Sequence, residues 1–266
     1  MDPSAQVMVY FFNHIDMFLM IIVRLLGFFI IFPLLSGGNI PMMSRILLAL
    51  SMAYMVFSST LIIPVEYYPT VLGFGVLVVS EFLVGFLMAY VVYVVFTVVQ
   101  LAGQMIDMQL GFAMARAMDP LTQMQTPLTG NLLFMVMMLM MVQTGGLHAF
   151  ISALFFSYDV LPLGQAVILN NGAILNGMVQ LMAVYFVTAV QIGLPLVGSL
   201  LVVTIALGML VKAAPQMNIF VVGLPLKLLI GFVLLYVTMP VFAYVYDLLF
   251  SQATRAVINM IRDLSP

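Results

Sequence analysis

Between Val71 and Val99 the chain runs through 29 residues that carry one charge, Glu81. As a helix this stretch would be roughly 43 Å long at about 1.5 Å per residue. A bilayer's hydrocarbon core is only about 30 Å thick, so the segment has to tilt, bend or protrude. It has five apolar companions: Val7 to Leu35, Ile40 to Ile63, Leu128 to Val142, Ala173 to Val211 and Ile219 to Phe250. In lipid every backbone N–H and C=O must be satisfied internally, and long uninterrupted apolar runs achieve this as helices. The fold class follows: an all-α, polytopic membrane protein of long, kinked helical hairpins. Composition agrees, since 65% of the 266 residues are hydrophobic and 6% are charged. A water-soluble exterior made from that material would aggregate.

Few charges lie inside the apolar runs, and each needs an account. Arg24 sits in the first segment near Asn13, His14 and Asp16. A buried arginine costs about 2.5–3.5 kcal/mol on insertion scales unless it snorkels or pairs. The reading adopted is a structural ion pair with a neighbouring helix. Glu81, one turn before Gly85, allows two readings, a carboxylate satisfied by a partner or a proton or ion site. The N-terminal residues have no Lys or Arg before their apolar run and no small-residue cleavage site, so the first segment is expected to be retained.

Breakers divide the rest. Pro33 and Gly37-Gly38 end the first segment and Pro64 the second, while Glu66, Tyr67, Tyr68 and Pro69 suggest an interfacial turn. Gly145-Gly146 turns the chain, and Asp159, Pro162 and Asn170-Asn171-Gly172 mark a loop. Pro195 should kink or break the fifth segment, and Pro225, Gly231 and Pro240 mark the sixth. Lys212 and Lys227 flank the turn between these two. The tail, 251–266, is amphipathic, with Arg255 and Arg262 on a helical pattern suited to lying along a surface. With six spans the positive-inside rule conflicts with itself, because Arg45, Arg116 and Lys212 fall opposite Arg255 and Arg262.

The interval from Val99 to Thr129 concentrates what the segments lack. It holds Asp107, Arg116 and Asp119, with Gln100, Gln104, Gln109, Gln123 and Gln125, and it is interrupted by Pro120 and Pro127. Yet Met105, Met108, Leu110, Phe112, Met114, Met118 and Met124 also run through it. Irregular backbone of that composition suits a segment buried in protein or lining a wet cavity. It reads as a moving or sealing part. Met108, Phe112, Met114, Met118 and Met124 form a deformable apolar seal in this reading, because methionine adapts to changing shapes. Asp107, Gln109, Arg116 and Asp119 supply polar contacts that hold the closed form.

Several chemistries are excluded. Without cysteine there is no thiolate catalysis, disulfide or cysteine metal site, and two histidines, His14 and His148, make no histidine-rich centre. No phosphate-binding loop, HExxH, nucleophile elbow or dinucleotide fingerprint occurs. No enzyme activity, cofactor or metal is expected. A formal net charge of −2 gives no reason for a nucleic-acid partner.

Four places together resemble a known family: Ala102-Gly103-Gln104 leading to Asp107-Met108-Gln109-Leu110-Gly111; Asp119-Pro120; Gly145-Gly146-Leu147-His148; and Pro215-Gln216-Met217-Asn218-Ile219-Phe220 continuing to Gly223-Leu224-Pro225-Leu226-Lys227. Over nearly the whole chain this is similar to the FliR family of the flagellar type III export apparatus, whose virulence-system relatives are called SctT. The resemblance implies one export-gate domain over 1–266. Residues 1–170 would be FliP-like and include a plug loop at about 106–125, residues 173–250 a FliQ-like hairpin, and 251–266 the amphipathic tail. It further implies assembly with FliP and FliQ homologues into a helical gate for unfolded export substrates, with FlhB and FlhA nearby. The setting would be the bacterial inner membrane and the flagellar basal body, partly raised above the bilayer plane. Arg24, Glu81, Lys212, Gln216, Asn218 and Lys227 become candidates for subunit-interface or buried charges. The rival readings are a secondary transporter or ion channel with a midplane site near Glu81, and a pure assembly scaffold.

Overall fold

The computed structural model describes residues 14–37, 40–59, 71–112, 127–166, 172–214 and 219–265. Among them are seven helices and no strand: α1 (Ile15–Ile31), α2 (Met42–Ser59), α3 (Val71–Leu110), α4 (Leu128–Gln143), α5 (Gly146–Val160), α6 (Gly172–Ala213) and α7 (Ile219–Leu264). α1 stops where expected. Its C-cap, Phe32, is extended at φ −50° and ψ 124° because the following Pro33 disfavours helical backbone there. Gly145 takes a left-handed φ of 74° between α4 and α5, a conformation that glycine adopts without steric cost.

Three helices differ from the sequence expectation. α3 continues eleven residues past Val99 to Leu110, so the first third of the central interval is helical. α6 runs on through Pro195, and α7 through Pro225 and Pro240. A proline removes one intrahelical hydrogen bond, but in an apolar setting unwinding the helix would leave still more backbone groups without a partner, so the helix continues. α7 also passes Phe250 without interruption, so the tail is its last turns. There Ala253, Val257, Met260, Ile261 and Leu264 form a buried stripe while Arg255 and Arg262 stay exposed. The amphipathic pattern is present, but its apolar side is covered by protein. Among the described residues three helices, not six segments, are long and apolar enough to cross a membrane, or four if α4 and α5 count as one broken span.

The chain forms two compact units, residues 1–93, 145–179 and 252–266, and residues 94–144 and 180–251. In the first, α1 buries Met20, Ile21, Leu25, Phe28 and Phe29, at the three- and four-residue spacing of one helix face. Phe28 stacks on Phe32 at 5.0 Å, and Phe32 meets Phe150 of α5 edge-on at 5.8 Å. α2 lies beside α1, with Phe18 and Phe57 edge to face at 5.6 Å. Gly27 of α1 and Gly85 of α3 bring those two backbones into contact: a Cβ added at Gly85 would lie 2.8 Å from the carbonyl carbon of Arg24.

In the second unit, Gly103 of α3 and Gly130 of α4 make a comparable crossing. A Cβ on Gly130 would sit 2.8 Å from the Gln100 carbonyl oxygen. Tyr246 of α7, fully buried, shares a hydrogen bond with Thr144 at the end of α4. Coverage is uneven. The most apolar window of α3 is 61% buried, whereas those of α6 and α7 are 11% and 17% buried. Surfaces that apolar and that bare require lipid or other protein against them.

Candidate functional site

Two buried carboxylates organise the polar chemistry, one in each unit. The first is Glu81, which with Arg24 has no exposed side-chain surface. Arg24 Nε donates to Glu81 Oε2 at 2.6 Å. The guanidinium then fans toward the end of α5. Nη1 reaches the Ser157 carbonyl at 3.2 Å, the Ser157 hydroxyl at 3.3 Å and the Leu161 carbonyl at 3.1 Å, and Nη2 also reaches Leu161 at 3.1 Å. It lies 4.5 Å over the ring of Tyr158, whose hydroxyl donates to the Ile21 carbonyl at 3.2 Å. The other Glu81 oxygen accepts the Gly164 N–H at 2.7 Å. One ion pair thus ties α1, α3, the end of α5 and the turn that follows it.

Glu81 is held from both sides in this geometry. Both carboxylate oxygens are engaged and none of the side chain is exposed, the arrangement of a charge held in place by its neighbours. Sequence reading singled out Arg24 and Glu81 separately but missed Ser157, Tyr158, Leu161 and Gly164. Those contribute mainly backbone groups, which residue type does not reveal. One signal was present: a glycine follows each charge within a turn, Gly27 after Arg24 and Gly85 after Glu81, and small residues mark close helix crossings.

The second carboxylate is Asp107, 2% exposed. Both of its oxygens lie near the Thr129 N–H, at 3.1 and 3.3 Å. That donor is one of the unpaired amides in the first turn of α4, whose N-cap, Pro127, has no side-chain oxygen to offer. Asp107 supplies the cap from another helix, and its charge suits the positive end of α4. Beside it, α3 ends at Gly111, which takes the left-handed φ of 91° common just past helix ends. The last turn of α3 and the first turn of α4 are therefore joined at the Asp107 carboxylate.

The other expected site residues are distributed as follows. Met108 is 67% exposed, and Gln109 and Phe112 are half-buried. Lys212 is exposed at the end of α6, and Lys227 is half-buried eight residues into α7. Met114, Arg116, Met118, Asp119, Met124, Gln216 and Asn218 lie outside the described residues, as do most of the interval 106–125 and the Asp119-Pro120 motif. No group of three or more His, Asp or Glu that could hold a metal ion occurs among the described residues.

Together these features define a class: a polytopic helical membrane protein whose buried charges are spent on holding helices together and whose C-terminal helices are left uncovered. The pattern of the family described as bacterial export proteins, family 1, matches residues 15–253, and the chain belongs to that family. It is 31% identical over 248 residues to the flagellar biosynthetic protein FliR of Bacillus subtilis (strain 168), covering 92% of this chain and 94% of that one. It is 29% identical to FliR of Escherichia coli (strain K12), covering 91% and 92%. The Yop proteins translocation protein T of Yersinia pestis is 26% identical over 216 residues, 80% of this chain and 81% of that protein.

Proposed function

We propose that this protein is the FliR-type subunit of a flagellar type III export gate, assembling with FliP and FliQ homologues around the path of unfolded export substrates. Family membership makes it a component of a type III export apparatus, a membrane protein and not a member of an enzyme family. The observation that carries the finer reading is the match along more than nine tenths of the chain to FliR of Bacillus subtilis and of Escherichia coli, at 31% and 29% identity against 26% for the translocation protein T. The bare α6 and α7 support it, because helices covered over only 11% and 17% of their most apolar windows suit a subunit that expects neighbours. In this reading residues 1–170 take the FliP-like place and 173–250 the FliQ-like hairpin. FlhB and FlhA lie alongside, in the bacterial inner membrane at the flagellar basal body.

The interval 106–125 closes the passage. Met108, Phe112, Met114, Met118 and Met124 form its yielding apolar part. Gln109, Arg116 and Asp119 hold the closed form through polar contacts, which are weak enough where wet for opening to cost little. Lys212, Gln216, Asn218 and Lys227 meet neighbouring subunits. The transporter or channel reading is less favoured, since Glu81, its candidate midplane site, has both oxygens occupied.

Native mass spectrometry of the tagged protein in mild detergent tests the assembly. One copy bound to several copies of two small helical membrane proteins is the expected result, and a lone monomer or homodimer would refute it. Deleting 113–125, the part of the interval that lies beyond α3, should make cells leak ions, and unchanged permeability would remove the seal from the proposal.

A further inference from the structure

We propose that Arg24 and Glu81 act as a backbone cradle for the end of α5: their principal task is to satisfy the peptide groups of residues 157–164, so that this helix can stop inside the apolar interior. The inference is independent of the export-gate reading. It starts from what α5 lacks. A helix leaves its last carbonyls without intrahelical partners, and burying such a group without a hydrogen bond is costly. Leu161, the C-cap of α5, has no exposed surface, and neither has Ser157. Water is therefore not at hand for the turn that ends the helix.

The guanidinium and carboxylate divide this work by chemistry. Arg24 has only donors, and it directs Nη1 and Nη2 at the carbonyls of Ser157 and Leu161. Glu81 has only acceptors, and its Oε1 takes the Gly164 N–H. The bond between the two, from Nε to Oε2, fixes their spacing, and the planar fork of arginine lets one side chain face Glu81 and α5 at once. A cation at the C-terminus of α5 also complements its dipole. Gly27 and Gly85 allow α1 and α3 to touch beside this cradle, which keeps both of its walls in register.

Mutual neutralisation of two buried charges is the competing account, and the two accounts predict different things. Replacing both members of an ordinary buried pair by apolar residues is often neutral. Here the double variant R24L/E81L would strand the Leu161 carbonyl and the Gly164 N–H, and would leave the Ser157 carbonyl with the Leu161 N–H alone, so it should not recover. In the full-length protein purified in mild detergent, hydrogen exchange over 161–165 should accelerate about tenfold or more in R24L/E81L. The yield of folded protein should stay as low as in R24L alone. Recovery of wild-type yield and protection in the double variant would overturn the cradle.

A milder variant keeps the test decisive if the double variant fails to fold. R24K retains the charge and its pairing with Glu81, but a single ammonium cannot span Glu81, Ser157 and Leu161 together. Exchange over 161–165 should rise several-fold in R24K, with α1 and α2 unchanged. Wild-type exchange in that segment would refute the proposal. S157A, which removes a hydroxyl and leaves the carbonyl, should leave exchange within about twofold of wild type, because the backbone acceptor carries the contact.

Discussion

Substituting Gly85 by alanine should be among the most damaging single-methyl changes in this chain. The added Cβ would stand 2.8 Å from the carbonyl carbon of Arg24 and 3.0 Å from the amide nitrogen of Phe28. Both belong to a helix backbone, which cannot rotate away as a side-chain tip can. Ordinary contact begins at 3.4 Å, and the Arg24 carbonyl oxygen lies nearer to the added methyl than its carbon does, so α1 and α3 must part by well over the 0.6 Å that the carbon alone requires. Overpacking of this kind costs about 1–3 kcal/mol. The same displacement acts on the 2.6 Å bond between Arg24 and Glu81 and weakens a pair whose complete loss costs about 3–5 kcal/mol. A total near 2–3 kcal/mol, at about 2–4 °C per kcal/mol, lowers the melting temperature by roughly 4–12 °C. The assay is the midpoint of heat-induced loss of the assembled peak on size-exclusion chromatography. Gly75→Ala is the internal control. It lies in the same helix with nothing within 4 Å of the added methyl, so it should be neutral or stabilising by up to about 1 kcal/mol. A G85A midpoint indistinguishable from that of G75A would refute the argument.

Three further outcomes follow from the second unit. Asp107→Ala removes the acceptor of the Thr129 N–H and should destabilise the start of α4 by about 0.5–2 kcal/mol, seen as faster hydrogen exchange over 128–131; unchanged exchange would show that the cap is dispensable. Gly130→Ala forces a methyl to within 2.8 Å of the Gln100 carbonyl oxygen and should lower the melting midpoint, whereas Gly208→Ala, in open space on α6, should not; equal midpoints would sink this. Tyr246→Phe removes the hydroxyl that bonds Thr144 and should cost about 1 kcal/mol, with T144V additive to it by less than half if the two act through that bond.

The apolar segments were legible because their signal is long and one-dimensional. The starts of α3, α4 and α7 fall at Val71, Leu128 and Ile219, as the runs indicated. Their ends were harder to read. Gly103 and Pro225 look like breakers in a sequence, yet Gly103 sits inside α3 as the point where α4 crosses, and Pro225 sits inside α7. A glycine chosen for close packing and one chosen for a turn are the same letter, and only the neighbouring backbone separates them. The polar part of the site divides in a similar way. Arg24 and Glu81 could be recognised as charges in need of partners. Ser157, Leu161 and Gly164 could not be recognised at all, because they take part through peptide groups that every residue shares.

What the sequence settles alone is the solvent and the class of element. Its apolar fraction and the length of its runs leave lipid-compatible helices as the means of satisfying the backbone, and its motifs point to one family. The tertiary structure decided which charges meet. Arg24 and Glu81 are 57 residues apart, and Asp107 and Thr129 are 22 apart. Periodicity within a helix reaches only a few residues, and nothing local encodes a pairing across helices. Those contacts arise because packing brings particular backbones together at glycines, and because a charge or peptide group buried there without a partner would cost more than the fold can sustain.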